Sequence, residues 1–304
     1  MAKYEHTVTS EESGLTINQI LRKNYRFSSR FRTKMKYQSL VDLNGTPTPG
    51  YVKPGVGDVI GVRLPDESSD FMPEDIPLDI VYEDDDLIIV NKQAGIIVHP
   101  TKGHPEHTIA NAVMKYMADT DQSFKVRFAN RIDMDTTGII IVAKNANTQN
   151  DLSSQMRRNS VIKKYYALVE GDIPEDHFTV ELPVGRPSQE SIRRAVMTEG
   201  GKDAYSEVNV IERFASGLYG PHTLVEVILH TGRTHQIRVH LSHIGHPIAG
   251  DVLYDGSTKL MDRQALHAYY IEFEHPMTKE TVSFETDLPE DMKTVIETLK
   301  NSAG

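Results

Sequence analysis

The chain has 304 residues, 38% of them hydrophobic, and a formal net charge of −10 at pH 7. That size allows a sizeable core and indicates more than one domain, whereas no apolar run is long enough to span a bilayer and no signal peptide is expected at the N-terminus. The absence of cysteine excludes disulfides, thiolate catalysis and cysteine-ligated zinc, and we expect a cytoplasmic protein.

Positive charge is concentrated near the N-terminus, where Thr16 is placed to cap a helix from Ile17 to Asn24 and a second short helix begins near Ser28 or Ser29. Residues 21–40 contain no acidic side chain but seven basic ones, Arg22, Lys23, Arg26, Arg30, Arg32, Lys34 and Lys36. All of them except Lys36 are predicted RNA-binding residues, because a local basic surface can neutralise phosphates even on an acidic protein. A solvated basic helix face without a ligand is the competing interpretation.

Residues 65–77 are rich in Asp, Glu, Ser and Pro, which is typical of a linker. We therefore predict that residues 1–72 form a small basic α/β module with its linker and that residues 73–304 form a second domain. In the second domain, helices and strands alternate without a regular βαβ rhythm. This order predicts an α+β fold with a mixed, largely antiparallel central sheet flanked by helices and loops.

A carboxylate precedes a continuous apolar run of the second domain. Residues 131–138 have the sequence RIDMDTTG and are followed by IIIVAK. A carboxylate at the mouth of a buried strand is easily desolvated and oriented, which suits Asp133 to be a nucleophile or a general base. An aspartate before a strand is also a common turn former, so this segment alone leaves both interpretations open.

Residues 229–251 predict a strand, a tight turn and a short helix, with Thr234 as N-cap and Gly245 at a left-handed C-cap. Arg238 would then lie near the positive end of the helix, where its guanidinium can pair bidentately with a carboxylate and hold it ionised. A capped helix with an apolar stripe is the simpler interpretation. It does not account for Arg233, Arg238 and several histidines within one short turn and helix.

The histidines of this region, His235, His240, His243 and His246, raise the alternative of a metal site. On a helix, His235 and His240 lie on different faces, and His246 follows the end of the helix. No acidic metal-binding motif such as HExxH accompanies them. We therefore expect no metal ligands among them.

Ordered motifs between residues 77 and 289 resemble the RluA-type and RluD-type pseudouridine synthases. The Asp133 segment is similar to HRLDxxTSGLLLxAK, residues 163–171 to KxYxAxVxG, and residues 232–251 to GRTHQIRVHLxxxGHPIxGD. The chain departs from these patterns at Asn130, where the family usually has His, at Thr137, at Gln93, and at Asp255, which is inserted. The N-terminal module resembles a small RNA-binding module shared with a ribosomal protein.

The resemblance implies an isomerase that converts uridine to pseudouridine in structured RNA without a cofactor or a metal. It implies that Asp133 is the essential carboxylate, that Arg238 pairs with it, and that Tyr165 packs against the target base and assists proton removal. Arg131 would enter the gap left by a flipped nucleotide, and Arg233 and His235 would contact RNA.

The expected partner is ribosomal RNA, most of all that of the large subunit, with transfer RNA as the other possibility. We expect a monomer with no membrane association. Two alternative functions are a catalytically silent RNA-binding or ribosome-assembly factor of the same fold, which would lack the Asp, Tyr or Arg, and a histidine-based metal hydrolase.

Overall fold

The N-terminal segment folds around a hydrophobic cluster of its own. In the computed structural model, which describes residues 3–25, 27–65, 67–101, 103–215 and 217–302, its elements are β1 (Tyr4–Thr7), α1 (Ile17–Asn24), α2 (Ser29–Tyr37), β2 (Val41–Leu43), β3 (Thr46–Pro47) and β4 (Val59–Val62). The strands form an antiparallel sheet in the order β1-β4-β2-β3. The predicted cap at Thr16 is confirmed, because Thr16 accepts a hydrogen bond from Gln19 N–H. The predicted start of the second helix is also confirmed: α2 begins at Ser29, and Ser28 before it accepts a hydrogen bond from Phe31 N–H.

The rest of the chain is built on one large mixed sheet. Its elements are β5 (Asp79–Glu83), β6 (Leu87–Lys92), α3 (Ile109–Asp119), β7 (Arg127–Phe128), β8 (Thr137–Ala143), α4 (Ala146–Arg157), β9 (Ile162–Glu170), β10 (His177–Glu181), β11 (Val184–Gly185), β12 (Ala195–Val196), β13 (Tyr205–Phe214), β14 (His222–Leu229), α5 (Gln236–His243), β15 (Leu266–Glu274), β16 (Thr281–Glu285) and α6 (Glu290–Asn301).

The order of the strands in this sheet is β10-β13-β14-β9-β15-β8-β6-β5, with β16 paired to β15 and β7 paired to β8. Every pair is antiparallel except β8 with β15, which run parallel. The small strands β11 and β12 pair with each other outside this sheet. The predicted α+β class with a mixed, largely antiparallel sheet is therefore confirmed.

Both faces of the central strands are buried, which explains their continuous apolar sequences. In β8, Ile140 and Val142 join the core that contains Val113 of α3, whereas Ile139 and Ile141 face the opposite cluster, which contains Leu152 of α4. Successive side chains of a strand point to opposite faces, so a strand covered on both sides needs apolar residues at every position. The N-terminal end of β8, which follows the loop of Asp133, is thereby held in place by the apolar clusters on both faces of the sheet.

Residues 65–77 contain no helix or strand among those described, in agreement with the linker composition. They nevertheless lie along the large-sheet part of the chain: Phe71 and Ile76 pack against its core, and Asn111 donates to the carbonyl of Met72 at 2.8 Å. Glu67 connects the two parts of the chain, because it pairs with Lys34 of α2 at 3.1 Å and with Arg127 of β7. A domain boundary at residue 72 stays a prediction. None of the helices within the described ranges is long and apolar enough to cross a membrane.

Candidate active site

A cleft of about 1730 Å³ opens at the mouth of β8 and extends to the first turn of α2. Its described lining contains nine basic and five acidic side chains, namely Arg30, Lys34, Lys125, Arg127, Arg131, Lys144, Arg157, Arg238 and Arg263, and Glu67, Asp133, Asp135, Asp251 and Asp262. The cleft is thus positive overall within a chain of net charge −10. Such charge segregation favours a polyanionic ligand.

Asp133 lies on the loop that leads into β8, and its side chain is 22% exposed. Two hydrogen bonds from Asn130 fix this loop: its amide donates to the carbonyl of Ile139 at 3.1 Å, and its oxygen accepts from Ile141 N–H at 2.8 Å. The loop closes in a turn in which Thr136 N–H donates to the Asp133 carbonyl at 3.2 Å. Asn130 therefore holds the loop through two hydrogen bonds that need no charged side chain. The family usually has a histidine at this position.

Lys92 supports the same loop from below and was not found from the sequence. Its side chain is buried, and its ammonium donates to the carbonyls of Gln93, Ile96 and Met134 at 2.8, 2.9 and 2.7 Å. Burial lowers the pKa of Lys92 to about 7. The available signal was a lysine at the end of a mostly apolar strand, because a cation buried there needs several oxygen partners.

Arg238 lies in the first turn of α5, as predicted, and holds two carboxylates at once. Its Nη1 donates to Asp133 Oδ2 at 2.9 Å, while Nε and Nη2 donate to Oδ2 and Oδ1 of Asp251, both at 2.7 Å. The bidentate partner is thus Asp251, and Asp133 receives a single hydrogen bond. Burial lowers the pKa of Arg238, but both carboxylates raise it, and the net shift is upward.

Asp251 is a site residue that the sequence reasoning missed. It is 1% exposed, and its ion pair with Arg238 fixes the plane of the guanidinium. It ends the motif that contains Arg238, and this position in the motif was the available signal. The pairing could not be read from spacing, because thirteen residues and the end of a helix separate the two side chains.

The prediction that Thr234 caps α5 is wrong, because the N-cap is His235, whose backbone is left-handed with φ of 58°. The turn is closed instead by Gln236, whose side-chain oxygen accepts from Arg233 N–H at 3.0 Å and from Thr231 Oγ1 at 2.8 Å. The prediction for the other end is confirmed: Gly245 has φ of 89° and its N–H donates to the carbonyl of Ser242.

Tyr165 lies on β9, where its backbone pairs with Val227 of β14, and it is 8% exposed. Burial and the nearby Asp133 carboxylate raise the pKa of Tyr165, so its phenol is protonated at neutral pH. Tyr165 is not among the described residues that line the cleft. Tyr165 is therefore a core residue that lies near enough to Asp133 for the carboxylate to raise its pKa.

The predicted RNA-binding residues near the loop differ in their placement. Arg131 is exposed and lines the cleft, and it makes no hydrogen bond or ion pair with a described residue. His235 also lines the cleft, with Nε2 3.7 Å from Asp133 Oδ2. Arg233 is outside the lining, and its Nε donates to the carbonyl of Asp203 at 2.9 Å.

The N-terminal basic residues also divide into groups. Arg30 and Lys34 on α2 line the cleft, whereas Arg22 and Lys23 are exposed on α1 outside its lining. Arg32 donates to the carbonyl of Phe27. Arg26 lies outside the described residues.

The four histidines of residues 235–246 do not converge on one point. His240 contacts Ser206 Oγ at 3.0 Å and the carbonyl of Leu182 at 2.9 Å, whereas His246 contacts the carbonyl of Glu170 at 3.0 Å. Among the residues that the structure describes, no group of three or more His, Asp or Glu side chains is placed to hold a metal ion.

Residues 86–243, which include Asp133, Tyr165 and Arg238, match the family model described as RNA pseudouridylate synthase. The chain belongs to the RNA pseudouridylate synthase family. The prediction of an RNA-modifying isomerase is thereby confirmed, and neither a silent binding factor nor a metal hydrolase is favoured.

Relatives of this synthase extend the match over nearly its whole length. It is 38% identical over 309 residues to the uncharacterized RNA pseudouridine synthase YlyB of Bacillus subtilis, which covers 99% of this chain and 100% of the relative. It is 37% identical over 313 residues to the ribosomal large subunit pseudouridine synthase D of Neisseria meningitidis, covering 98% of this chain and 82% of the relative. Among solved structures, human RNA pseudouridylate synthase domain containing 1 matches with a TM-score of 0.57 and 27% identity, over 74% of this chain and 95% of that chain.

Proposed function

We propose that this synthase isomerises specific uridines of large-subunit ribosomal RNA, acting in the cytoplasm as a monomer and without a cofactor. The observation that carries the proposal is the pairing of Asp133 with Arg238 at 2.9 Å in a basic cleft. The relatives named as large-subunit synthases support the choice of RNA, as does the basic surface of α2 at the far end of the cleft. Transfer RNA is the second candidate substrate.

Pseudouridine formation breaks the bond between N1 of uracil and C1′ of the sugar, turns the base and joins C5 to C1′. The C5 hydrogen leaves as a proton and N1 gains one, so the product is an isomer of the substrate. Asp133 can attack C1′, attack the uracil ring or assist elimination to a glycal, and each of these routes needs an ionised carboxylate. The Arg238 guanidinium donates directly to Oδ2 and so places a positive charge against this carboxylate.

Tyr165 is proposed to contact the uracil. Its raised pKa keeps the phenol protonated, so its environment best supports packing against the base. The target uridine has to leave its helix to reach Asp133, and the exposed Arg131 at the rim is proposed to fill the gap. A planar guanidinium suits this part because it stacks on bases and hydrogen-bonds phosphate.

Replacement of Asp133 by Asn tests the proposed chemistry. Asp133→Asn removes the carboxylate with little change in shape, so it is expected to abolish tritium release from RNA labelled at C5 of uridine. RNA binding should stay within a few-fold of the parent protein. Asp135→Asn, two residues along the same loop, is the matched control and is expected to keep most of the release. Persistent release by Asp133→Asn would contradict the proposal.

The substrate is tested by mapping pseudouridines in the RNA of a strain that lacks this protein and in its parent. Sites that disappear from large-subunit ribosomal RNA and return with the wild-type gene, but not with Asp133→Asn, support the proposed substrate. Loss of sites from transfer RNA alone would assign the enzyme to transfer RNA instead.

A further inference from the structure

Tyr254 lies directly behind the candidate active site and has no part in the reaction described so far. It is 1% exposed, and two guanidinium groups lie over its ring, with Arg238 Cζ 5.0 Å and Arg193 Cζ 5.3 Å from the ring centroid. Its hydroxyl oxygen is 2.7 Å from Arg194 N and 2.8 Å from His235 Nδ1. A hydroxyl buried at a point where three elements meet has its hydrogen-bonding directions fixed.

These two contacts determine which nitrogen of His235 carries a proton. The Arg194 amide can only donate, so the Tyr254 oxygen accepts that bond. The single hydroxyl hydrogen has no acceptor other than His235 Nδ1 among the described residues within hydrogen-bonding distance. With Nδ1 as the acceptor all three groups are paired, whereas an Nδ1–H form would leave the hydroxyl hydrogen without a described acceptor. This difference favours a neutral His235 that carries its ring hydrogen on Nε2. Burial lowers the pKa of His235, which favours this neutral ring.

The protonated nitrogen faces the reactive carboxylate. His235 Nε2 lies 3.7 Å from Asp133 Oδ2, the same oxygen that accepts from Arg238 Nη1 at 2.9 Å. The backbone of His235 is left-handed, with φ of 58°, and strained conformations of non-glycine residues persist at sites where the surrounding structure enforces them. Asp133 Oδ1 accepts no hydrogen bond from a described residue, so the two oxygens of this carboxylate are not equivalent.

We propose that Tyr254 is a positioning residue that holds His235 in the Nε2–H form, so that His235 and Arg238 both donate to Asp133 Oδ2 and leave Oδ1 as the reacting oxygen. The present separation is longer than a hydrogen bond, and closure on bound RNA shortens it, as contacts in substrate-free sites commonly do. This inference rests on the proposed role of Asp133 as the essential carboxylate.

The protonation of His235 is tested first, without RNA, by nitrogen-15 NMR of protein labelled in histidine. His235→Gln identifies the signals of His235 by their absence. The parent protein is expected to show Nε2 protonated and Nδ1 unprotonated, and Tyr254→Phe is expected to shift this balance towards Nδ1–H. Tyr205→Phe is the matched control: Tyr205 stacks on His230 with ring centroids 4.3 Å apart, and its hydroxyl makes no hydrogen bond with a described residue. An Nδ1–H form in the parent protein overturns the proposal.

The effect on the reaction is tested by a double-mutant cycle under single-turnover conditions with saturating RNA. Tyr254→Phe and His235→Gln are each expected to slow tritium release about tenfold at saturating RNA, and the double variant should be no slower than His235→Gln alone, because Tyr254 acts through His235. Tyr254 is outside the described lining of the cleft, so Tyr254→Phe should bind RNA within twofold of the parent protein. Additive effects, or an unchanged rate in Tyr254→Phe, overturn the proposal. Thermal unfolding shows whether each variant is folded. Failure of the proposed function appears separately, as release that persists in Asp133→Asn.

Discussion

The ammonium of Lys92 and the amide of Asn130 hold the loop of Asp133 from opposite ends. Lys92 donates to three carbonyls, of which Met134 is the immediate neighbour of Asp133. Asn130 ties the other end to the backbone of β8. Both side chains bond to the backbone of the loop or of β8, so we expect both to act on the reaction through the position of the carboxylate.

Replacement of Lys92 by Met keeps the length of the side chain and removes all three donors. We expect the free energy of unfolding to fall by about 3 kcal/mol, because one buried and two part-buried carbonyls lose their partner. Tritium release should fall with it as the loop moves. Urea denaturation measures the first effect. Lys125→Met, at an exposed position on the rim of the same cleft, is expected to change stability by less than about 0.5 kcal/mol. Equal effects of the two variants on stability would contradict the role of Lys92 in holding the Asp133 loop.

The placement of single residues was predictable where it depends on a local sequence pattern. Asp133 stands out before an apolar strand and Arg238 near the start of a short helix, and both predictions of placement are met. Asp251 and Lys92 could not be assigned a partner in advance, since their contacts span 13 and 42 residues and depend on how the chain returns to the cleft. The spacing of residues in the sequence does not predict contacts of this kind.

At the scale of elements, the parallel pairing of β8 with β15 brings two backbones close together beside the site. Gly138 has φ of 110°, and a Cβ added there would lie 2.2 Å from the carbonyl oxygen of Ala268. The two residues are partners in the parallel pairing that joins the strands. A backbone atom cannot move aside as a flexible side chain can, so only glycine fits.

Two glycine substitutions separate this steric effect from the conformational one. Gly138→Ala is expected to lower the free energy of unfolding by at least about 4 kcal/mol, or to prevent folding, because strain and a backbone clash act together. Gly245→Ala should lower it by only about 1 kcal/mol, since its φ is also positive but no atom lies within 4 Å of the added Cβ. Denaturant unfolding of both variants measures the difference, and similar losses would contradict the explanation.

Helix starts were predictable from sequence when the cap is local. Thr16, Ser28 and Thr108 each accept a hydrogen bond from the backbone three residues ahead. Thr234 has the right chemistry for a cap and fails, because the contacts of Gln236 with the preceding turn move the start of α5 by one residue. The two-residue strands such as β7 and β11 exist only through their partners, and no local pattern could indicate them.

At the scale of the whole molecule, charge segregation is the main electrostatic feature. The cleft is positive in a negative protein, and α2 contributes Arg30 and Lys34 to its far end. We expect the double replacement of these two residues by Ala to weaken RNA binding and to reduce the slope of log K against log salt by about 2, since each cation that neutralises a phosphate contributes about 1.

The matched control for this charge removal is the double replacement of Lys293 and Lys300 by Ala. Both lysines are on α6, outside the described lining of the cleft, and each pairs with a glutamate, Glu290 and Glu212 respectively. The control lowers the net charge equally, so it should leave the salt dependence near that of the parent. Equal losses in both double variants would show that α2 contributes only to the overall charge.

Stability should depend on pH through buried histidines. Burial lowers the pKa of His267 to about 4 and also lowers the pKa of His235 and His240. Below about pH 6.5 the unfolded chain takes up protons that the folded protein does not, so the free energy of unfolding falls as pH decreases. From about pH 7.5 to 5.5, His267 alone should account for about 1 kcal/mol. Urea unfolding at both pH values measures this effect. The free energy of unfolding of His267→Gln should fall less between them than that of the parent, whereas His177→Gln, at an exposed position, should fall as much as the parent.

The parallel pairing of β8 with β15 also has a consequence during protein synthesis. Asp133 precedes Arg238 by 105 residues, and its strand pairs with residues 267 and 268. When the ribosome has synthesised the loop of Asp133, neither Arg238 nor β15 has yet been translated. Contacts this distant in the chain form only after the intervening segment is available. A growing chain remains without an assembled site until β15 has been translated, and fragments ending before β15 are expected to be inactive.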